Sequence, residues 1–293
     1  MPISALSGKP AARLGFAAVI GAVGVLCFAP FGFFWLAPAI WLGLFQLLRA
    51  AGSVRQAALS GLAFGLGFFL TGVSWVYVSL SVFGGMPWWL AGIAAFLFCA
   101  VMALFPMLAG ALFKRWQPET FWRQVLYFAA LIAAVDWLRS WIFTGFPWLA
   151  VGYSQAPPSP VAGFAPLLGV RGLSLLVALA GAALARWRSG LIIVGLLAAS
   201  GFGLRQILWT QPVGEPVSVA LIQGNIPQEM KFRPEAFIRT LNLYLELIER
   251  HPAQLTILPE TSLPIFFDQL PPAYLEALND AVRAHGGNLI TGA

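Results

Sequence analysis

The sequence predicts a multi-span α-helical membrane domain followed by an α/β domain. Three observations carry this. First, 59% of the 293 residues are hydrophobic and only 10% are charged, against about 25% charged in soluble domains. Second, residues 1–214 hold twelve Lys and Arg against two acidic side chains, Glu119 and Asp136, whereas residues 215–293 hold five against nine. Third, the apolar pattern changes near residue 215, from long unbroken runs to short alternating runs separated by amphipathic stretches. The net charge of +6 therefore belongs to loops between spans, which argues for a membrane and against nucleic acid as a partner.

A span takes roughly 20 apolar residues. Seven runs qualify, at approximately 11–28, 32–48, 57–80, 88–113, 124–143, 163–185 and 190–209. They make residues 1–210 a transmembrane domain of about seven helices. Lys9, Arg13, Arg49, Arg55, Lys114, Arg115, Arg123, Arg186 and Arg188 fall before the first run or in every second loop. The loops around 29–31, 81–87 and 144–162 carry neither Lys nor Arg. The positive-inside rule then puts the N-terminus in the cytoplasm and, with seven spans, the segment from about 211 outside; six or eight spans would reverse this and place it in the cytoplasm. Residues 14–28 read as a retained span: no Ala-x-Ala cleavage signal follows, and Leu26 is too large to precede a lipidated Cys27. Cys27 and Cys99 sit inside apolar runs, where a thiol is a small buried hydrophobe and a poor nucleophile.

The cation-free side is rich in aromatic residues. Two readings stand there: a belt at the headgroup level, or the floor of a lipid-facing cleft. On the second, Trp75, Tyr77 and Trp148 are the first candidates to touch a lipid substrate. Asp136 and Arg139 lie three apart and share a helix face. Ionisable groups inside a membrane need partners, so the two form a mutual pair that tethers helices, or Arg139 meets a lipid phosphate. Arg171 and Arg205, near run ends, are expected to snorkel.

Beyond residue 211, Val217 to Gln223 alternates and closes on Gly224-Asn225, a strand and a turn. Residues 235–250 place Phe237, Leu241, Tyr244, Leu245 and Ile248 on one helical stripe. A second strand covers Leu255 to Pro259, a second helix 272–285 stops at Gly286-Gly287, and a third strand starts at Asn288. Helical crossovers imply parallel strands, and ligands bind beyond their carboxyl ends. Glu260 occupies that end of the second strand, while Asn225 and Gln228 follow the first. Glu260 is therefore the candidate general base. A solvated or capping acid is the alternative, since Thr261 and Ser262 follow it. His251 and His285 have no ligand-spaced partners, and no phosphate loop, paired-Cys motif or Gly-x-Ser-x-Gly elbow occurs, so no metal or cofactor is expected. About 80 residues ending on a third strand leave a sheet with a bare face, and the natural chain is expected to continue past Ala293.

The strings Ser74-Trp-Val-Tyr-Val-Ser79, Phe83-Gly-Gly-Met-Pro87, Thr144-Gly-Phe-Pro-Trp148, Gly152-Tyr-Ser-Gln155, Gln223-Gly-Asn-Ile-Pro-Gln228 and Leu258-Pro-Glu-Thr261 resemble those of the bacterial apolipoprotein N-acyltransferases along nearly the whole chain. The resemblance implies an inner-membrane enzyme whose periplasmic domain is a nitrilase-like α-β-β-α sandwich with a Glu-Lys-Cys triad, here truncated after its third strand. Such enzymes take an acyl chain from a phospholipid donor onto the cysteine as a thioester. They then pass it to the amine of the diacylglyceryl-cysteine that begins an apolipoprotein. Only Glu260 carries over, as the proton acceptor. Neither Cys27 nor Cys99 matches the nucleophile, which with the lysine is expected beyond residue 293, so the 293 residues alone are predicted inactive. Phe232 stands where the family has tryptophan, after the lysine matched by Lys231; it keeps an aromatic face and loses the indole N–H. Phe232, Trp75, Tyr77, Arg139 and Trp148 are the expected substrate-binding residues. The alternatives are a non-catalytic lipid-binding or transport module, or a sibling enzyme acting on another acyl donor.

Overall fold

Backbone polar groups inside hydrocarbon must be satisfied within their own segment, so long apolar runs fold as helices. The computed structural model describes residues 9–156 and 158–292. The chain divides into two compact units, Met1–Thr210 and Gln211–Ala293.

Among the described residues, the regular elements of the first unit are all helices. Its elements are α1 (Pro10–Gly24), α2 (Ala37–Arg49), α3 (Val54–Gly72), a single turn α4 (Trp75–Val78), α5 (Trp88–Arg115), α6 (Phe121–Arg139), α7 (Ala165–Ala183) and α8 (Trp187–Leu204). Two of them end as their sequences dictate: Arg49 closes α2, and Lys114 with Arg115 closes α5, cations at the negative pole of each helix dipole. At the start of α3, the Ser53 hydroxyl caps by accepting the Gln56 N–H. Phe45, Phe64, Phe113 and Phe128 are fully buried where the helices meet. Phe45 meets the rings of Phe113 and Phe128 edge-on. Small residues bring the helices close. A Cβ on Gly61 of α3 would collide with the Pro106 carbonyl of α5, which is how α3 and α5 pack backbone to backbone.

Among the described residues, six helical segments are long and apolar enough to cross a membrane: Pro10–Cys27, Val54–Gly72, Trp88–Arg115, Phe121–Arg139, Pro160–Ala183 and Trp187–Leu204. The expected run at 32–48 is a shorter apolar helix, Phe34–Arg49. Its first turn is 3₁₀ and Pro38 opens the α-helical part, leaving 13 α-helical residues that rise only about 20 Å of a hydrocarbon core about 30 Å thick. The expected run at 57–80 also divides. Val73 leaves helical geometry at φ −123, and α4 and a π-helical turn over Ser79–Phe83 follow.

In the second unit, β1 (Val219–Leu221), α9 (Pro234–Arg250), β2 (Leu255–Ile257), α10 (Pro272–Arg283) and β3 (Asn288–Ile290) alternate. The sheet is parallel in the order β1-β2-β3, as the alternation requires. Ala220 pairs with Thr256 and Thr256 with Leu289. This side of the sheet packs with Ile222 and Leu258 against Leu241, Tyr244, Ile248, Leu278 and Val282 of the two helices. Val219, Leu221 and Ile290 point to the other side and are exposed. The strands are shorter than their sequence patterns. At the entrance to β1 a side chain takes over from the ladder: the Ser218 N–H donates to Gln254 Oε1, and the Gln254 N–H to Ser218 Oγ.

Candidate functional site

In the second unit the strand ends converge on Glu260. Leu258 is buried beyond β2 and Pro259 offers no N–H, so the chain leaves the sheet and turns. Thr261 makes that turn at φ 52, and Asn225 turns the chain beyond β1 at φ 50. Asn tolerates the left-handed region, whereas a β-branched residue there is an outlier, held only where its surroundings over-determine it. Three contacts do so. The Ser262 hydroxyl meets Thr291 Oγ1 at 3.0 Å. The Leu263 N–H donates to the Gly292 carbonyl at 3.2 Å, with the Leu263 side chain fully buried. Gly292 lies so close that a Cβ there would press on the Thr261 nitrogen.

Lys231, half-buried on the turn before α9, donates from Nζ to the Glu260 backbone carbonyl at 3.1 Å. Together with Gln223, Asn225, Tyr244 and Ser262 these two residues line a cavity of about 170 Å³. The Glu260 side chain is exposed at its rim, and among the described residues its carboxylate accepts no hydrogen bond and forms no ion pair. It is therefore open to a reactant. Burial pushes the Tyr244 hydroxyl above the ordinary phenol range, opposed by a backbone hydrogen bond at Gly224, so this wall of the cavity is neutral. Behind it, Tyr274 is pushed up to about 12 by burial and by Tyr244, and donates to the Leu241 carbonyl at 3.0 Å. Phe232, 64% exposed, lines a neighbouring hollow with Phe237 and Pro264.

Lys231 is expected to fix the Glu260 turn. Lys231→Met should speed amide exchange at Ser262 and Leu263 about three- to ten-fold, the loss of one charge-assisted hydrogen bond. Lys231→Arg should restore most of the protection. Unchanged exchange in Lys231→Met would remove this role.

In the first unit, Trp75 of α4 and Trp148 lie with ring centroids 5.3 Å apart, tilted by 60°. Both are about half exposed, as is Tyr77. The segment carrying Trp148 is strained, with Phe143, Thr144 and Leu149 at φ 52, 73 and 56. Arg139 holds it. Its Nη1 donates to the carbonyls of Phe146 and Trp148, its Nη2 to Asp136 Oδ1 at 2.7 Å, and its Cζ lies 5.3 Å from the centre of the Phe69 ring. Asp136 Oδ2 accepts from the Ser174 hydroxyl at 2.7 Å and the Val151 N–H at 3.1 Å. Arg139 is 3% exposed and its hydrogen bonds among the described residues are internal, an arrangement that suits the tether. Arg171 does not simply snorkel. It reaches Asp136 at 3.2 Å, with its side chain about a quarter exposed. The part played by Ser174 and by Lys231 carries no spacing signal; both contacts span 29 or more residues of sequence.

Fold and site together define a multi-pass membrane protein whose C-terminal unit presents a carboxylate at the ends of a parallel sheet. A family model described as the apolipoprotein N-acyltransferase N-terminal domain matches residues 20–183, and the chain belongs to that family. Over 292 residues it is 47% identical to an apolipoprotein N-acyltransferase of Nitrosomonas europaea, covering 96% of this chain and 58% of that relative. Proteins of the same name from Ralstonia nicotianae and Chromobacterium violaceum are 42% and 43% identical, covering 97% and 94% of this chain and 57% and 55% of theirs. The chain thus spans little more than half the length of these relatives.

Proposed function

We propose that this chain serves apolipoprotein N-acylation at a bacterial inner membrane, with Glu260 as the proton acceptor of a nitrilase-like Glu-Lys-Cys triad. The observation that supports this most directly is the unpaired Glu260 carboxylate at the sheet's carboxyl ends, in a chain similar to apolipoprotein N-acyltransferases on both sides of residue 211. Cys27 and Cys99 are buried among the helices of the first unit, so in this reading the nucleophile is another cysteine of the gene product. Glu260 takes the thiol proton, and the thiolate attacks the ester carbonyl of a phospholipid. The C–O bond breaks, the lysophospholipid leaves with the proton from Glu260, and the acyl group stays on sulfur as a thioester. The amine of a diacylglyceryl-cysteine then attacks the thioester. Glu260 accepts the amine proton and returns it to the departing thiolate, restoring the enzyme. Trp75, Tyr77, Trp148 and Phe232 supply exposed aromatic surface suited to acyl chains and headgroups. Arg139 serves by holding the Trp148 segment.

The test is acyl transfer by the complete protein in proteoliposomes, with acyl-labelled phospholipid and a diacylglyceryl-cysteine peptide. Hydroxylamine-labile label on the protein and N-acylated peptide are expected. Transport of substrate without either product would favour a non-enzymatic module. We also infer that the short α2 is a seventh crossing, since Arg13 at the start of α1 donates to the Leu47 carbonyl near the end of α2 and to Ser60 near the start of α3, so that the cationic loops face the cytoplasm and residues 211–293 the periplasm. A cysteine placed at the exposed Glu276 should react with an impermeant maleimide in intact spheroplasts. Reaction only after lysis would reverse the orientation.

A further inference from the structure

The cationic end of the first unit holds nine Lys and Arg in the loops and helix ends, from Lys9 to Arg188. None is ion-paired among the described residues, and the nearby acid Glu119 is exposed and joins no salt bridge. Two of these cations stand apart. Arg49, at the end of α2, and Arg186, just before α8, both lie over the ring of Phe121, the first residue of α6, with Cζ atoms 5.4 and 4.3 Å from its centre. Three separate helices thus bring two like charges onto one buried aromatic side chain. Among the described residues, Arg49 makes one side-chain hydrogen bond, to Gln124 Oε1, which accepts from its Nε at 3.0 Å. Gln124 is itself fixed by donating to the Pro118 carbonyl. The Arg186 guanidinium donates no hydrogen bond among the described residues. A guanidinium on an aromatic face keeps its edge donors free for a bidentate oxyanion. Two of them held together repel unless an anion lies between or beside them.

We propose that Arg49 and Arg186, oriented by Phe121 and Gln124, form a binding site for the phosphodiester of an anionic phospholipid. The site is separate from the aromatic surface proposed for the acyl donor. It lies at the opposite end of α6 from Arg139, about 27 Å away along that helix. A bilayer lipid is the occupant that the surroundings favour, because the site sits at the ends of α6 and α8, two membrane-length helices, where a headgroup layer supplies phosphate at high local concentration. It rests on the membrane architecture and not on the acyltransferase reading.

The full-length protein is reconstituted in phosphatidylcholine nanodiscs doped with phosphatidylglycerol, and the anionic lipid retained is read by native mass spectrometry and by thermal shift. Arg49→Gln with Arg186→Gln should weaken phosphatidylglycerol retention about thirty-fold, two cations' share at a membrane surface. Arg55→Gln with Arg115→Gln, removing two exposed cations from the same end, should weaken it far less. Equal losses in the two double variants would mean diffuse charge and overturn the site, as would unchanged retention in the first. Should Arg49→Gln with Arg186→Gln fail to accumulate, Phe121→Leu keeps both charges and loses the platform; retention equal to wild type would then overturn the proposal. Inorganic phosphate in phosphatidylcholine discs should give no thermal shift, and a shift matching that of the lipid would assign a soluble anion instead.

Discussion

Replacing Glu260 by Gln in the complete protein is expected to lower acyl-enzyme formation about 10²- to 10⁴-fold, the range lost with a positioned general base. The substitution keeps the shape of the side chain and its oxygen, and removes only the capacity to hold a proton. Folding should be indifferent to it. The side chain is exposed, and the contacts that fix the turn are made by the Glu260 backbone carbonyl, Ser262 and Leu263. The loss should therefore fall on turnover, with phospholipid retention and protein yield unchanged. Hydroxylamine-labile label is the readout, because it reports the first half-reaction before any acceptor peptide is needed. A Glu260→Gln protein that acylates itself at the wild-type rate would leave the carboxylate a solvated turn residue.

The largest effect on stability is expected at Asp136. Its carboxylate receives Arg139, the Ser174 hydroxyl and the Val151 N–H, and faces Arg171. Asp136→Ala leaves Arg139, 3% exposed, with two carbonyls and no counter-charge. Breaking a buried pair from one side costs about 3–5 kcal/mol, which lowers the unfolding midpoint of the detergent-solubilised protein by about 10 °C. Asp136→Asn should fall between the two, since the amide oxygen still accepts the Val151 N–H while the charge is gone. The Trp148 segment depends on the same group, so near-ultraviolet dichroism from the Trp75–Trp148 pair should weaken along with stability. An Asp136→Ala protein that unfolds within a degree or two of wild type would show that the network contributes little.

Much of this architecture was legible in the residues, for identifiable reasons. Periodicity located α9 and α10 within a residue or two, because an amphipathic stripe has only one way to face a sheet. The parallel order followed from crossover length. Glu260 stood out because a carboxylate directly after an apolar run must emerge at a strand's carboxyl end. Hydropathy was a poorer guide to helix length. It reads apolar character and not geometry, so it ran 57–80 together through Val73 and credited 32–48 with residues that the 3₁₀ turn and Pro38 take out of the α-helix. Contacts between distant segments left no trace in any local pattern. Arg171 and Ser174 reach Asp136 only because α7 packs on α6, and Lys231 reaches the Glu260 carbonyl only because two turns meet beyond β1 and β2.

Thr261 is left-handed in the folded chain, and that has a bearing on chemistry. Ser262, Leu263 and Gly292 fix the backbone from which the Glu260 side chain departs, so the carboxylate moves about one anchored Cα before any reactant arrives. Relaxing the turn with Thr261→Gly would make the chain more comfortable and that anchor looser.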